Sequence, residues 1–157
     1  MFTNVMWATD GSAHADRALG YATRVALRDG ATLHAVHVVE KFATGRVAGQ
    51  NAHLDEQAID AKIQREVADE PEEIASVLHM ISGRTGDAAA LIAERARAVQ
   101  ADLIVVGTRG HSPLVGAILG SVTQRLLHVA PCPVLVVPPV AVAAADPDGS
   151  ELVSDAH

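Results

Sequence analysis

Lysine is scarce in this chain, with Lys41 and Lys62 its only representatives, and the formal net charge is -7 at pH 7. Domains that bind nucleic acid grip phosphate through clustered Lys and Arg and carry a basic balance, so no nucleic-acid partner is expected. Cysteine is scarcer still. Cys132 is the single one, set between Pro131 and Pro133, so it can form no internal disulfide and has no second thiol for metal or redox work. Aromatic side chains are limited to Phe2, Trp7, Tyr21 and Phe42, too few to favour stacking on a flavin ring system. No apolar run suits a bilayer, because the uncharged stretch over residues 126–145 contains Pro131, Pro133, Pro138 and Pro139, which break a spanning helix. The opening segment reads as a strand, and its first Lys or Arg is Arg17, unlike a secretory signal. The expected location is the cytoplasm, without membrane attachment.

What is present is a globular balance: 157 residues, 49% of them apolar and 20% charged, enough for one domain with a buried core. Residues 2–9 form a short apolar run ending at Asp10-Gly11-Ser12, a turn cluster that also caps a helix. From there Ala15, Ala18, Leu19, Ala22 and Ala26 recur on one helical face until Asp29-Gly30 stops the run. The unit then repeats. Residues 32–39 read as strand, Leu54, Ala58, Ile63 and Val67 as a helical stripe, and residues 74–81 as strand. Residues 88–99 follow as helix, 103–106 as strand, 120–129 as helix and 134–137 as strand.

Strands alternating with helices run parallel, and right-handed crossovers place helices on both faces, so the expected fold is an α/β, Rossmann-like, doubly wound five-stranded sheet. Ligands in such sheets bind beyond the carboxyl ends of the strands, at the point where strand order reverses. The connection over residues 41–52, with Gly45 and Gly49, is expected to form a flap over that crevice, and residues 140–157 a disordered tail after a domain spanning 1–139.

After the fourth strand the chain reads Gly107-Thr108-Arg109-Gly110, then nine residues, then Gly120-Ser121-Val122 at a helix start. Glycine lets backbone approach an anion and adopt positive φ, and a helix start offers unpaired N–H groups to phosphate. Arg109 and His111 within the loop can neutralise phosphate charge, and Thr9 and Thr108 would add hydroxyls if the first and fourth strands lie side by side. Ser121 with Gln124 also fits a helix-capping box that would occupy the same donors, and Asp10 alone suits a cap or turn.

The pattern Gly-2x-Gly-9x-Gly-Ser, with Asp10-Gly11-Ser12 before it and Val134-Leu135-Val136-Val137-Pro138 after it, resembles the universal stress proteins over residues 1–139. The resemblance implies strand order 3-2-1-4-5 and, because the motif is complete, the ATP-binding subclass acting as a stress-response sensor or regulator. It further implies that Asp10 and Val38 border adenine and ribose, with Val106 beside the base. Gly107, Gly110, Gly120, Ser121 and Val122 would line ribose and phosphates. Trp7 stands where a smaller apolar residue is usual in that family, and Ala88 where proline is frequent. The ligand would be ATP, ADP, AMP or cAMP, with room for a magnesium ion riding on the phosphates, which needs few protein ligands. Pairing of two copies through Val134, Leu135, Val136 and Val137 is implied as well, since an apolar edge strand seeks cover.

Other classes fit less well. No Gly-x-x-x-x-Gly-Lys-Ser/Thr is present, and no Gly-x-Gly-x-x-Gly follows the first strand. His34 and His37, three apart on a strand, point to opposite faces, so no protein metal site is expected. No catalytic residues are assigned: a general base, metal carboxylate and phosphate-clamping lysine do not converge, and Asp102 precedes its strand, so at most slow ATP hydrolysis is expected. A dimeric adaptor that does not use nucleotide, and a flavodoxin-like flavin carrier, are the alternative functions.

Overall fold

The computed structural model describes residues 1–41, 49–84, 86–108 and 119–139. In chain order they form β1 (Asn4–Thr9), α1 (Ala13–Asp29), β2 (Thr32–Lys41), α2 (Gly49–Ala68), β3 (Ser76–Arg84), α3 (Ala88–Ala98), β4 (Leu103–Gly107), α4 (Ser121–Val129) and β5 (Val134–Val137). The strands are all parallel and pair in the order β3-β2-β1-β4-β5, the doubly wound arrangement expected. Among the described residues no helix is long and apolar enough to cross a membrane. The expected tail, residues 140–157, lies outside the described residues.

Helices cover both faces, which is why β1 and β4 at the centre are buried throughout from Val5 to Thr9 and from Leu103 to Gly107. Val5, Trp7, Leu33, Ala35, Leu103 and Val105 point to one face, where the alanine stripe of α1 and Ile63 of α2 meet them. Met6, Ala8, Val36, Ile104 and Val106 point to the other, against Ala89, Ile92, Ala93 and Ala96 of α3 and Leu126 of α4. Helix α1 begins and ends as its sequence suggests. Ser12, in extended conformation, accepts the Ala15 amide, and Gly30 closes the helix at φ 65°.

Three expectations are corrected. The connection read over 41–52 is shorter, because Lys41 belongs to β2 and Gly49–Ala52 to α2; residues 42–48 lie outside the described residues. Gly49 suggested a loop, yet it stands in the first turn of a helix, where a glycine interrupts little. The inward stripe of α2 is Ile59, Ile63 and Val67, spaced by four, with Ala58 exposed. The third strand also starts and ends later than residues 74–81, since its ladder with the long β2 runs from Leu33 opposite Ser76 to Lys41 opposite Arg84. Ladder length set by a partner strand leaves no trace in local hydrophobic alternation.

His34 and His37 do face opposite sides of the sheet. His37 Nδ1 bonds the Thr9 carbonyl at 2.9 Å, whereas His34 Nδ1 lies 3.1 Å from Nε2 of His79 on β3, and its Nε2 lies 3.2 Å from Asn4 Oδ1. The His34 and His79 rings stack at 5.4 Å, an arrangement that needs one ring nitrogen to donate and the other to accept. Burial lowers both pKa values below the ordinary 6.5, helped at His34 by His79 and at His79 by Arg95. The unfolded chain therefore binds protons here at a higher pH than the folded one, so stability is full above about 6.5 and is lost as pH falls below it. Thermal melts from pH 8 to pH 5 should show a decline of a few degrees that His34→Gln flattens; a wild-type melting temperature unmoved across that range contradicts this account.

Candidate functional site

Strand order reverses between β1 and β4, and the described chain opens a cavity of about 260 Å³ at their carboxyl ends. That volume lies near the lower end of the roughly 300–1,000 Å³ range of small-molecule clefts. Thr9 and Asp10 enter it from β1, Val38 from β2, Val106 and Gly107 from β4, and Gly120, Ser121 and Val122 from the start of α4. These residues, far apart in sequence, were singled out above and are brought together. Arg109, Gly110 and His111 lie outside the described residues.

Its floor is apolar. Ala8, Val38, Ile92 and Val106 supply it, on the face covered by α3 and α4, while Thr9, Asp10, Ser121 and Thr123 supply the polar side chains. An apolar floor with a few polar side chains is the usual make-up of a small-molecule site. Ala8, Ala15, Ala88, Ile92 and Thr123 were not anticipated from the sequence. For Ala88 and Ile92 a signal existed: they follow β3 directly, and that strand leaves the same carboxyl edge of the sheet.

The turn after β1 is locally determined. Thr9 Oγ1 accepts the Gly11 amide at 3.0 Å, Asp10 Oδ1 accepts the Ser12 amide at 3.0 Å, and Gly11 sits at φ 77°. Asp10 is thus a turn residue and Ser12 the helix cap. A Cβ on Gly11 would also stand 2.7 Å from Ile59 Cγ2, so α2 rests directly on this turn.

At the other wall, the two ends of the spaced glycine motif are joined. The Gly120 amide donates to the Thr108 carbonyl at 2.7 Å, and Thr123 Oγ1 donates to the Gly107 carbonyl at 3.0 Å. The Thr108 amide donates to Val137 of β5 at 3.0 Å, and its buried hydroxyl has no partner among the described residues; Thr108 itself stands beside the cavity rather than on its lining. The capping box considered for Ser121 and Gln124 is not formed. Gly120 is the N-cap, Ser121 lies one residue inside the helix, and the Gln124 amide goes to the Gly120 carbonyl. Gly120 supplies no side-chain cap and the first turn of α4 holds no acid, so the positive amino end of the helix lines the cavity with its own residues leaving its charge uncompensated.

Positive φ, expected for the motif glycines, is not what Gly107 and Gly120 provide: Gly120 has φ -59°, and the described glycines at positive φ are Gly11, Gly30 and Gly86. Gly107 is small for another reason. A Cβ there would lie 2.8 Å from the His14 carbonyl oxygen, where the first turn of α1 crosses the end of β4.

Around the rim, Glu40 Oε1 accepts the amides of Gly86 and Ala88, and Arg125 Nη1 donates to the Gly86 carbonyl at 2.8 Å, bracing the entry to α3. Asp102 lies at the opposite, amino edge of the sheet, accepting the Thr3 and Asn4 amides. Burial opposes its charge, yet bonds from Thr3 and Asn4 hold its pKa below the ordinary aspartate value. Cys132 is a free, half-buried thiol whose pKa burial pushes up, which disfavours the reactive thiolate.

The universal stress protein family model matches residues 1–138. The chain is 35% identical over 143 residues to the universal stress protein in QAH/OAS sulfhydrylase 3'region of Thermus aquaticus, covering 87% of this chain and 99% of that protein. Among solved structures, the universal stress protein UspA from Lactobacillus plantarum superposes with a TM-score of 0.64 at 25% identity, covering 86% of this chain and 97% of the other. A universal stress protein solved in complex with cAMP gives a TM-score of 0.62 at 25% identity, covering 87% and 97%. With the fold, the site at the reversal of strand order and this breadth of sequence match, the chain belongs to the universal stress protein family.

Proposed function

We propose that this protein binds an adenine nucleotide in the cavity between β1 and β4 and acts as a nucleotide-dependent sensor or regulator in the cytoplasm. The observation that carries the reading is the bond from the Gly120 amide to the Thr108 carbonyl, which sets the uncapped start of α4 beside an apolar slot. The base would lie against Val38 and Val106, with Asp10 toward the ribose and the α4 amides, Ser121 and Val122 toward phosphate. Thr9, Thr108, Arg109, Gly110 and His111 would complete the surroundings. A relative of similar fold crystallised with cAMP supports an adenine ligand. ATP is the preferred candidate, with magnesium held mainly by its phosphates and water. No side-chain set for rapid hydrolysis is assigned, so turnover would be slow at most.

Calorimetric titration of the purified chain with ATP, ADP, AMP and cAMP tests this. At least one should bind, and the double variant Gly120→Val, Ser121→Leu should weaken it by about tenfold or more, since the added bulk obstructs the start of α4 and the Ser121 hydroxyl, worth about 1.5–3 kcal/mol to a charged group, is lost. Parental affinity in that variant would sink the assignment.

A second reading has its own support. β5 is an edge strand whose Leu135 is 37% exposed, so self-pairing through Val134, Leu135, Val136 and Val137 would cover apolar surface. A homodimer of that kind is compatible with nucleotide binding, and light scattering at micromolar concentration reads it directly.

A further inference from the structure

The scarcest charged side chain of the sequence reaches the turn that carries Asp10. Lys62, on α2, places Nζ 2.8 Å from the Gly11 carbonyl oxygen, 2.7 and 2.8 Å from the two carboxylate oxygens of Asp16, and 3.5 Å from Glu66 Oε1. Burial opposes its charge, but the bond to Asp16 and the charge of Glu66 outweigh burial and raise its pKa above the ordinary lysine value, so the ammonium stays charged.

The Gly11 carbonyl and the Ser12 amide belong to one planar peptide unit, which rotates as a body. Lys62 holds the oxygen end of that unit, and Asp10 Oδ1 accepts the N–H at the other end at 3.0 Å. Gly11, with φ 77° and no side chain, offers little resistance of its own to rotation of that unit. Orientation of the peptide and of the Asp10 carboxylate are therefore linked through a single rigid plane.

Resting on the nucleotide-binding reading above, we propose that Lys62 is a positioning residue, anchoring the Gly11 carbonyl so that Asp10 is held in the orientation the ribose end of the ligand meets. Lys62 touches no ligand in this account. It acts through the Gly11–Ser12 peptide, and α2, which packs on Gly11 through Ile59, is coupled to the site by the same contact.

The test uses the full chain with Lys62→Met, with Glu66→Gln as a variant that alters the charge around Lys62 but keeps its bond to Gly11. Amide hydrogen exchange of the unliganded protein is followed by NMR, and adenosine and inorganic tripolyphosphate are titrated separately. Lys62→Met should speed exchange at Ser12 by about tenfold relative to Leu91 of α3, and weaken adenosine by about tenfold while leaving tripolyphosphate unchanged. Glu66→Gln should leave all of these near parental values. In an Asp10→Ala background, Lys62→Met should cost adenosine nothing further. Unchanged Ser12 exchange in a folded Lys62→Met protein overturns the anchor. Parental adenosine affinity there, or equal loss for both probes, overturns the positioning role. A parent chain that binds neither adenosine nor ATP defeats the nucleotide reading and the ligand half of this proposal, whereas Ser12 exchange still decides the anchor.

Discussion

Valine at position 107 is expected to lower the stability of this protein by about 3 kcal/mol, the upper part of the range for overpacking a closely packed site. The reason is a contact between backbones. Even a bare Cβ at Gly107 would stand 2.8 Å from the His14 oxygen and 2.9 Å from the His14 carbonyl carbon, and neither atom can swing aside as a side-chain tip would. Relief requires moving the first turn of α1 away from β4, which also displaces Ala15 on the cavity wall. For a chain of this size the loss corresponds to a fall of roughly 6–12 °C in melting temperature. Gly107→Ala should lie between. Gly20, exposed on α1 with open space around its Cα, is the matched control, and Gly20→Ala should raise stability by up to about 1 kcal/mol. Equal effects at 107 and 20 would mean that no close approach exists at the end of β4.

Truncating Trp7 to alanine should be still more damaging, about 3–5 kcal/mol by analogy with other large buried aromatic residues. Its side chain is fully enclosed, with 0% exposure, beneath the alanine stripe of α1, and its indole N–H donates to the Ala15 carbonyl at 2.8 Å. Removal leaves a void under the centre of the sheet and strips a buried carbonyl of one partner. Trp7→Phe separates the two contributions, since it keeps most of the ring volume and loses the bond, for about 1–2 kcal/mol. Urea denaturation followed by circular dichroism measures both, fluorescence being unsuitable because Trp7 is the single tryptophan. Retained stability in Trp7→Ala would mean that the small α1 residues collapse into the space.

Both residues show how far the sequence could be read. Trp7 looked oversized for its strand, yet nothing around it in the chain named Ala15 as its hydrogen-bond acceptor, because that partner depends on where α1 crosses the sheet. Gly107 was legible as a necessary glycine, but positive φ is not the reason. It lines the cavity, and the steric demand for a glycine comes from the His14 backbone. Ser121 illustrates the reverse: the capping-box spacing with Gln124 is genuine, and the helix simply starts one residue earlier than that box requires.

Element order, the parallel sheet and the edge of the sheet where the cavity opens were legible in short-range patterning: apolar runs for buried strands, alanine spacing for α1, and glycine and serine at chain turns; Val38 and Val106 on the cavity lining were named only through the family resemblance. These signals are local, so the chain displays them without folding. Tertiary structure decided what depends on distance across the fold. It determined the length of β3 through its ladder with β2, the entry of Ala88 and Ile92 into the cavity, the His34–His79 contact, and the reach of Lys62 to Gly11. Each of these joins residues on separate elements, and the packing that brings them together is a property of the whole sheet and its helices rather than of any one segment.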